Sequence, residues 1–286
     1  METLLVAQHP GLVVEQVIIS TAGDRSQHRS PEAFTERGIF VKEIEQTLLA
    51  GAIDLAVHSL KDLPAGTTEG LTIAGYPPRA DARDVLHCRD QSRRWPSLPP
   101  GARIGTSSQR RLAQLRHLRP DLEYVPIRGN VETRLAKVDR GDYDATVLAA
   151  AGLHRLGLDA AITEYLPVED CLPEAGQGAI AVEVRGDDIG LRQLVGSIDN
   201  AATRLVVQVE RQAVALIGGG CTTPTACYGV LDGDELWLRG VVATPDGATL
   251  LCASTRVARD AWPSAAPDLA AKLLALGAGQ LLGPRG

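Results

Sequence analysis

The sequence predicts an α/β protein with a smaller α+β region at its C-terminal end. Three observations carry that reading. Short apolar runs alternate with segments of helical periodicity between about residues 50 and 150. The run Asp144 to Ala151 is apolar on both faces, as a central parallel strand requires. After Gly218-Gly219-Gly220-Cys221 the pattern changes to hairpins, with Asp232-Gly233-Asp234 and Pro245-Asp246-Gly247 at the turns.

A chain of 286 residues is long enough for two or three domains at roughly 150 residues each. Its hydrophobic content of 44% supports real cores, and an aromatic content of only 3% makes those cores aliphatic. A net charge of −6 argues against a nucleic-acid partner. No apolar run approaches the roughly 18 residues of a membrane span, and the first residues are not a basic-then-apolar signal segment. Cys88, Cys171, Cys221, Cys227 and Cys252 are scattered and odd in number, which fits a reducing, cytoplasmic setting without a disulfide framework. Histidine and cysteine spacing offers no metal site.

Taken in order, Met1 to Gln8 reads as a short helix ended by His9-Pro10-Gly11, and Leu12 to Ile19 as a strand. An α/β domain that opens on so short a helix is expected to lack a preceding strand. Residues 20–38 are polar and unpatterned, and a loop that long is functional or disordered. Ile39 to Leu49 has helical spacing and Gly51 closes it. Ile53 to Val57 is a buried strand, and Leu71 to Ala74 another. Residues 77–101, rich in Pro, Arg, Asp and Ser, read as a domain crossing. A second α/β pattern follows: strand Arg103-Ile104-Gly105, hydroxyl caps Thr106-Ser107-Ser108, helix Gln109 to Leu118, strand Leu122 to Ile127, helix Val131 to Val138, then the strand Asp144 to Ala151. Ala179 to Val184 is a strand that could return the chain to the first domain. A helix from about Asn200 to Leu216 precedes three strands, Cys227 to Leu231, Leu236 to Ala243 and Leu250 to Arg256. A last helix covers about Pro267 to Leu276.

Three places could carry chemistry. The strand ending at Val57 runs into His58-Ser59-Leu60-Lys61-Asp62-Leu63-Pro64, and ligands of open α/β sheets sit beyond the carboxyl ends of strands. Lys61 and Asp62 thus occupy a functional position, or form a surface ion pair. Between Arg103 and Arg140 the chain holds nine Lys/Arg against four acids. Arg110, Arg111, Arg128 and Arg134 cluster at the openings of successive helices, where free N–H groups and the dipole favour anions. Their forks match carboxylate or phosphate, whereas Arg116, Arg119 and Arg140 read as a solvated face. Cys221, behind three glycines, is either an accessible attachment point or a buried small hydrophobe.

Five motifs in order resemble the porphobilinogen deaminase (hydroxymethylbilane synthase) family. They are Val57-His58-Ser59-Leu60-Lys61-Asp62-Leu63-Pro64, Gly105-Thr106-Ser107-Ser108-Gln109-Arg110-Arg111, Arg128-Gly129-Asn130-Val131-Glu132-Thr133-Arg134, Leu172-Pro173 with Gly176-Gln177-Gly178, and Gly219-Gly220-Cys221. The resemblance implies two doubly wound domains like periplasmic binding proteins, with the site in the cleft between them, plus a small α+β domain. The expected bounds are 1–79 with 179–196, then 84–172, then 201–286. It implies a cytoplasmic, monomeric transferase that joins four porphobilinogen units into hydroxymethylbilane with release of ammonia, using neither nucleic acid, membrane nor metal. The growing chain is held on a covalent dipyrromethane cofactor, thioether-linked at the position of Cys221. Asp62 matches the catalytic carboxylate. Ser59, Lys61, Ser107, Ser108, Arg110, Arg111, Arg128, Arg134 and Gln177 match cofactor or substrate contacts, and Asp24 and Arg37 fall in a loop near the site. Each pyrrole carries an acetate and a propionate, so clustered arginines would supply counter-charge. The family's Gly-Thr-Arg-x-Ser motif is absent before Met1, and Arg37 stands where a lysine is common. The alternatives are a truncated, weakly active or inactive relative that still binds tetrapyrroles, and a two-lobed anion receptor without catalysis.

Overall fold

The central strand of the first sheet, β8 (Ile180–Arg185), comes from late in the chain and is flanked on both sides by early strands. It pairs antiparallel with β1 (Leu55–Ser59) and with β2 (Leu71–Gly75), in the order β1-β8-β2. The expected return of the chain to its first domain is therefore a hydrogen-bonded fact. The computed structural model describes residues 1–19, 38–64, 66–219 and 223–282, the side chains of 38–40 excepted. Asp24, Arg37 and Cys221 lie outside the described residues. The described chain forms two compact units, one of Met1–Arg79 with Ala179–Leu205, the other of Ala80–Gly178 with Val206–Gly286.

In the first unit each face of the sheet is covered by helices. Val182 and Val184 of β8, with Leu55 of β1, pack against Leu5 of α1 (Glu2–Gln8) and Leu191, Leu194 and Val195 of α6 (Ile189–Gly196). On the opposite face Ala56 and Leu71 meet Ile44 and Leu48 of α2 (Gly38–Leu49). The period of two along each strand sorts side chains between these two cores. Leu12 to Ile19 is not a strand. Leu12 touches the core, but Val13 is 90% and Ile18 92% exposed, and no strand among the described residues lies beside β1 on its second edge. An apolar run becomes a strand only when a partner ladder satisfies its backbone.

The second unit is built on a mixed sheet of order β5-β4-β6-β3-β7, comprising β3 (Asp84–Cys88), β4 (Arg103–Gly105), β5 (Glu123–Val125), β6 (Ala145–Ala149) and β7 (Glu164–Tyr165). β4 runs parallel to β5 and β6, whereas β3 is antiparallel to β6 and β7. β3 is buried at every position, although it lies inside the stretch read as a domain crossing. α3 (Gln109–Leu118) places Leu115 on one face with Leu86, Ile104 and Val147; α4 (Val131–Asp139) and α5 (Ala150–Leu156) cover the other with Leu135 and Leu153. α5 starts directly after β6, so the apolar run through Ala151 is part strand and part helix.

The same unit carries the antiparallel sheet β11-β10-β9, made of β9 (Thr225–Asp232), β10 (Glu235–Ala243) and β11 (Leu250–Ala258). α7 (Ala201–Ile217) leads into it, and α8 (Ala265–Ala275) and α9 (Ala278–Leu282) follow it. Ala226 and Val241 pack on Leu172 and Val168. The β10–β11 turn docks on α3: Gly247, at φ +71°, approaches so closely that a Cβ there would lie 2.6 Å from the Ala113 carbonyl oxygen, and His117 Nδ1 lies 2.9 Å from the Gly247 oxygen.

Candidate active site

In the first unit β1 delivers Ser59 to a single 3-10 turn, Leu60–Asp62, pinned by the Leu60 N–H to the Ala179 oxygen at 3.1 Å and closed by Leu63 N–H to Leu60 O at 3.1 Å. Leu60 and Leu63 are buried anchors, so the turn presents Lys61 and Asp62 half-buried between them. Pro64 then stops regular structure. His58 points into the core, its Nε2 3.1 Å from the Glu183 carboxylate, with both side chains buried. It braces the strand that carries the turn.

In the second unit Ser108 caps α3, its Oγ accepting from the Arg111 N–H at 3.4 Å. Ser107 Oγ bridges to the next strand's exit, donating to Ile127 O at 2.8 Å and accepting from Ile127 N–H at 3.1 Å. Asn130 caps α4 by accepting from Thr133 N–H at 2.9 Å. Arg134, one turn into α4, donates from Nε to the Gly129 oxygen at 2.8 Å. Arg128 is exposed, and its carbonyl accepts from Lys137 Nζ at 2.9 Å.

Arg110 and Arg111 turn inward onto a carboxylate that the sequence did not bring forward, Asp84 at the start of β3. Arg110 Nη1 donates to Asp84 Oδ2 at 2.6 Å and to the Leu172 oxygen at 2.9 Å. Arg111 donates to Asp84 Oδ1 from Nε at 3.1 Å and from Nη2 at 2.8 Å, and its Nη1 donates to Val147 O at 3.0 Å. Gln177 Nε2 adds a bond to Asp84 Oδ1 at 2.8 Å and one to the Ala82 oxygen at 2.7 Å; the Cys171 thiol sits 3.2 Å from Oδ2. Asp84 and Gln177 are 0% exposed. Burial alone would raise the pKa of Asp84, but the two guanidiniums hold its carboxyl well below the usual carboxylate range. Burial pushes the Cys171 thiol far up, and Asp84 adds to this, so the thiol is an inert neighbour.

Around Asp84 the cluster is unbalanced. Two guanidiniums share that one carboxylate within ion-pair distance, Glu174 acts on Arg110 only from further off, and Arg134 stands close enough for Arg111 to depress its pKa further, on top of the lowering by burial. No carboxylate among the described residues pairs with Arg134. A surplus of positive charge in a partly desolvated wall suits an anionic guest and is costly without one.

Residues 1–193 match the family model "Porphobilinogen deaminase, dipyromethane cofactor binding domain", and residues 204–274 match "Porphobilinogen deaminase, C-terminal domain". The chain belongs to the porphobilinogen deaminase family. The porphobilinogen deaminase of Roseiflexus sp. (strain RS-1) is 49% identical over 243 residues, 85% of this chain and 80% of that one. The namesake from Sorangium cellulosum (strain So ce56) is 46% identical over 259 residues, covering 91% and 85%. That of Bordetella parapertussis is 44% identical over 279 residues, covering 98% and 88%. Family membership bears out the fold expectation of an α/β body with a small α+β portion, and the dipyrromethane cofactor. Among the described residues no helix is long and apolar enough to cross a membrane.

Proposed function

We propose that the chain is a hydroxymethylbilane synthase, joining porphobilinogen units head to tail with release of ammonia. The observation that carries this is the cofactor-domain match over residues 1–193, which holds both the Lys61-Asp62 turn and the unbalanced arginine cluster. The donor set fits a dipyrromethane, whose acid arms need cations: Lys61, Arg111, Arg128 and Arg134 would hold them, with Arg110 contributing its charge from within the wall. Ser59 is a direct contact in this reading, Ser107 and Ser108 hold the backbone at the strand exit and the opening of α3, and the buried Gln177 acts through Asp84 and not on the cofactor itself. When bound, the dipyrromethane supplies an electron-rich pyrrole end to be extended, and Cys221 is its attachment point.

Asp62 is the assigned catalytic carboxylate. Porphobilinogen that has lost ammonia is electron-deficient, and ring attack places positive charge on pyrrole nitrogen. A carboxylate fixed by a buried turn accepts that N–H and stabilises the charge without reorganising. Protein expressed in a haem-making host should be heavier than its sequence by a two-pyrrole adduct, and Cys221→Ser should lack it. An unmodified mass for the unaltered chain would sink the assignment. The substrate is a small molecule, and the chain acts as a cytoplasmic monomer.

A further inference from the structure

We infer that Asp84 is a positioning residue for the acid arms: it fixes the directions of the Arg110 and Arg111 guanidiniums and cancels one of their two charges, leaving a single net positive charge for a pyrrole carboxylate, an inference that rests on the tetrapyrrole reading above. Asp84 is fully buried and cannot itself meet a ligand. It is nonetheless the acceptor on which both arginines converge, through Nη1 of one and Nε and Nη2 of the other. Gln177 also donates to Oδ1 and the Cys171 thiol to Oδ2, so each carboxylate oxygen is held by a further group besides its arginine.

Stability alone does not explain this arrangement. A buried ion pair is often no better than apolar residues of the same volume, and a second guanidinium without its own carboxylate is worse. Arg110 Nε is buried without a hydrogen-bond partner among the described residues, a further cost for a structural cluster. The surplus also reaches outward, since Arg111 acts on the Arg134 guanidinium. A surplus that is buried, directed and adjacent to a third arginine is what a site for a carboxylate needs. Asp84 limits that surplus, so the wall attracts an acid arm without trapping solvent anions.

The test compares Asp84→Asn, Asp84→Glu and Gln177→Met by steady-state kinetics over a range of NaCl and by intact mass. Asp84→Asn leaves one acceptor oxygen where there were two, so the arginines no longer converge on a shared carboxylate, and it raises the cluster's net charge by one. Its KM for porphobilinogen should rise about tenfold or more, and rise more steeply with NaCl than that of the unaltered chain, as chloride competes. A smaller fraction of its molecules should carry the two-pyrrole mass. Asp84→Glu should restore the ordinary salt dependence. Gln177→Met loosens Asp84 without changing charge, so KM should rise while its salt dependence stays ordinary. A folded Asp84→Asn protein with unchanged KM, salt dependence and adduct content overturns the inference; if that variant does not fold, an unchanged KM in Gln177→Met overturns it instead. Absence of the two-pyrrole mass from the unaltered chain defeats the tetrapyrrole reading itself, whereas its presence beside either unchanged result defeats only the role of Asp84.

Discussion

Replacing Glu210 by alanine should loosen the loop that supports the arginine cluster. Glu210 lies on α7, is 0% exposed, and accepts the Gly176 N–H with Oε2 and the Gly229 N–H with Oε1, each at 2.7 Å. One carboxylate thus ties the Gly176-Gln177-Gly178 loop to β9. Hydrogen bonds to a charged acceptor contribute about 1.5–3 kcal/mol each. Relief from burying the carboxylate offsets part of that, so Glu210→Ala should cost about 3 kcal/mol. For a unit of this size the melting temperature should drop by about 6–12 °C. Glu210→Gln keeps one acceptor and turns an N–H donor toward the other glycine, so about half the loss should remain. Thermal melts followed by circular dichroism read both variants. Because Gly176 adjoins Gln177, KM should rise in the same order. If Glu210→Ala melts within about 2 °C of the unaltered protein, the two bonds do not tie the loop and the reasoning fails.

The cysteines should separate by reactivity. Burial pushes the Cys88 thiol up to about 12 and the Cys171 thiol higher, and Cys227 is 0% exposed, whereas Cys252 is exposed. Iodoacetamide at pH 8 should label Cys252 in the folded protein and add Cys88, Cys171 and Cys227 only in urea. Cys221 should stay unlabelled throughout as a thioether, and its labelling would count against attachment there. The stabilisation by Asp84 should depend on pH in one direction. Its folded pKa lies below the unfolded value near 3.9, so its contribution is complete above that value and is lost as pH falls toward the folded pKa. The melting-temperature gap between the unaltered chain and Asp84→Asn should be flat from pH 8 to pH 5 and shrink below about pH 4. A gap that widens on acidification would contradict the pairing.

Local signals in the sequence were reliable where local physics decides. The Ser108 cap, the Gly51 closure of α2 and the turns at Gly233 and Gly247 follow from a side-chain oxygen and positive φ, and all are present. β3 is masked in the sequence because Asp84-Val85-Leu86-His87-Cys88 sits in a segment dominated by proline and charge. Its apolar run was the available signal. Leu12 to Ile19 failed in the opposite sense, since its pattern was right but pairing is a non-local property. The sequence marks Arg110 and Arg111 as cations at a helix opening, where they are. That Asp84, 26 and 27 residues away, meets them inside the fold follows from the β3–β6 ladder and not from spacing.

Ammonia release by the purified chain supplied with porphobilinogen tests the central claim most directly. The account predicts one ammonia per porphobilinogen consumed, with hydroxymethylbilane as product, and a rate lower by about a hundredfold or more in Asp62→Asn. No ammonia from the unaltered, adduct-bearing protein, or an undiminished rate in Asp62→Asn, would contradict it.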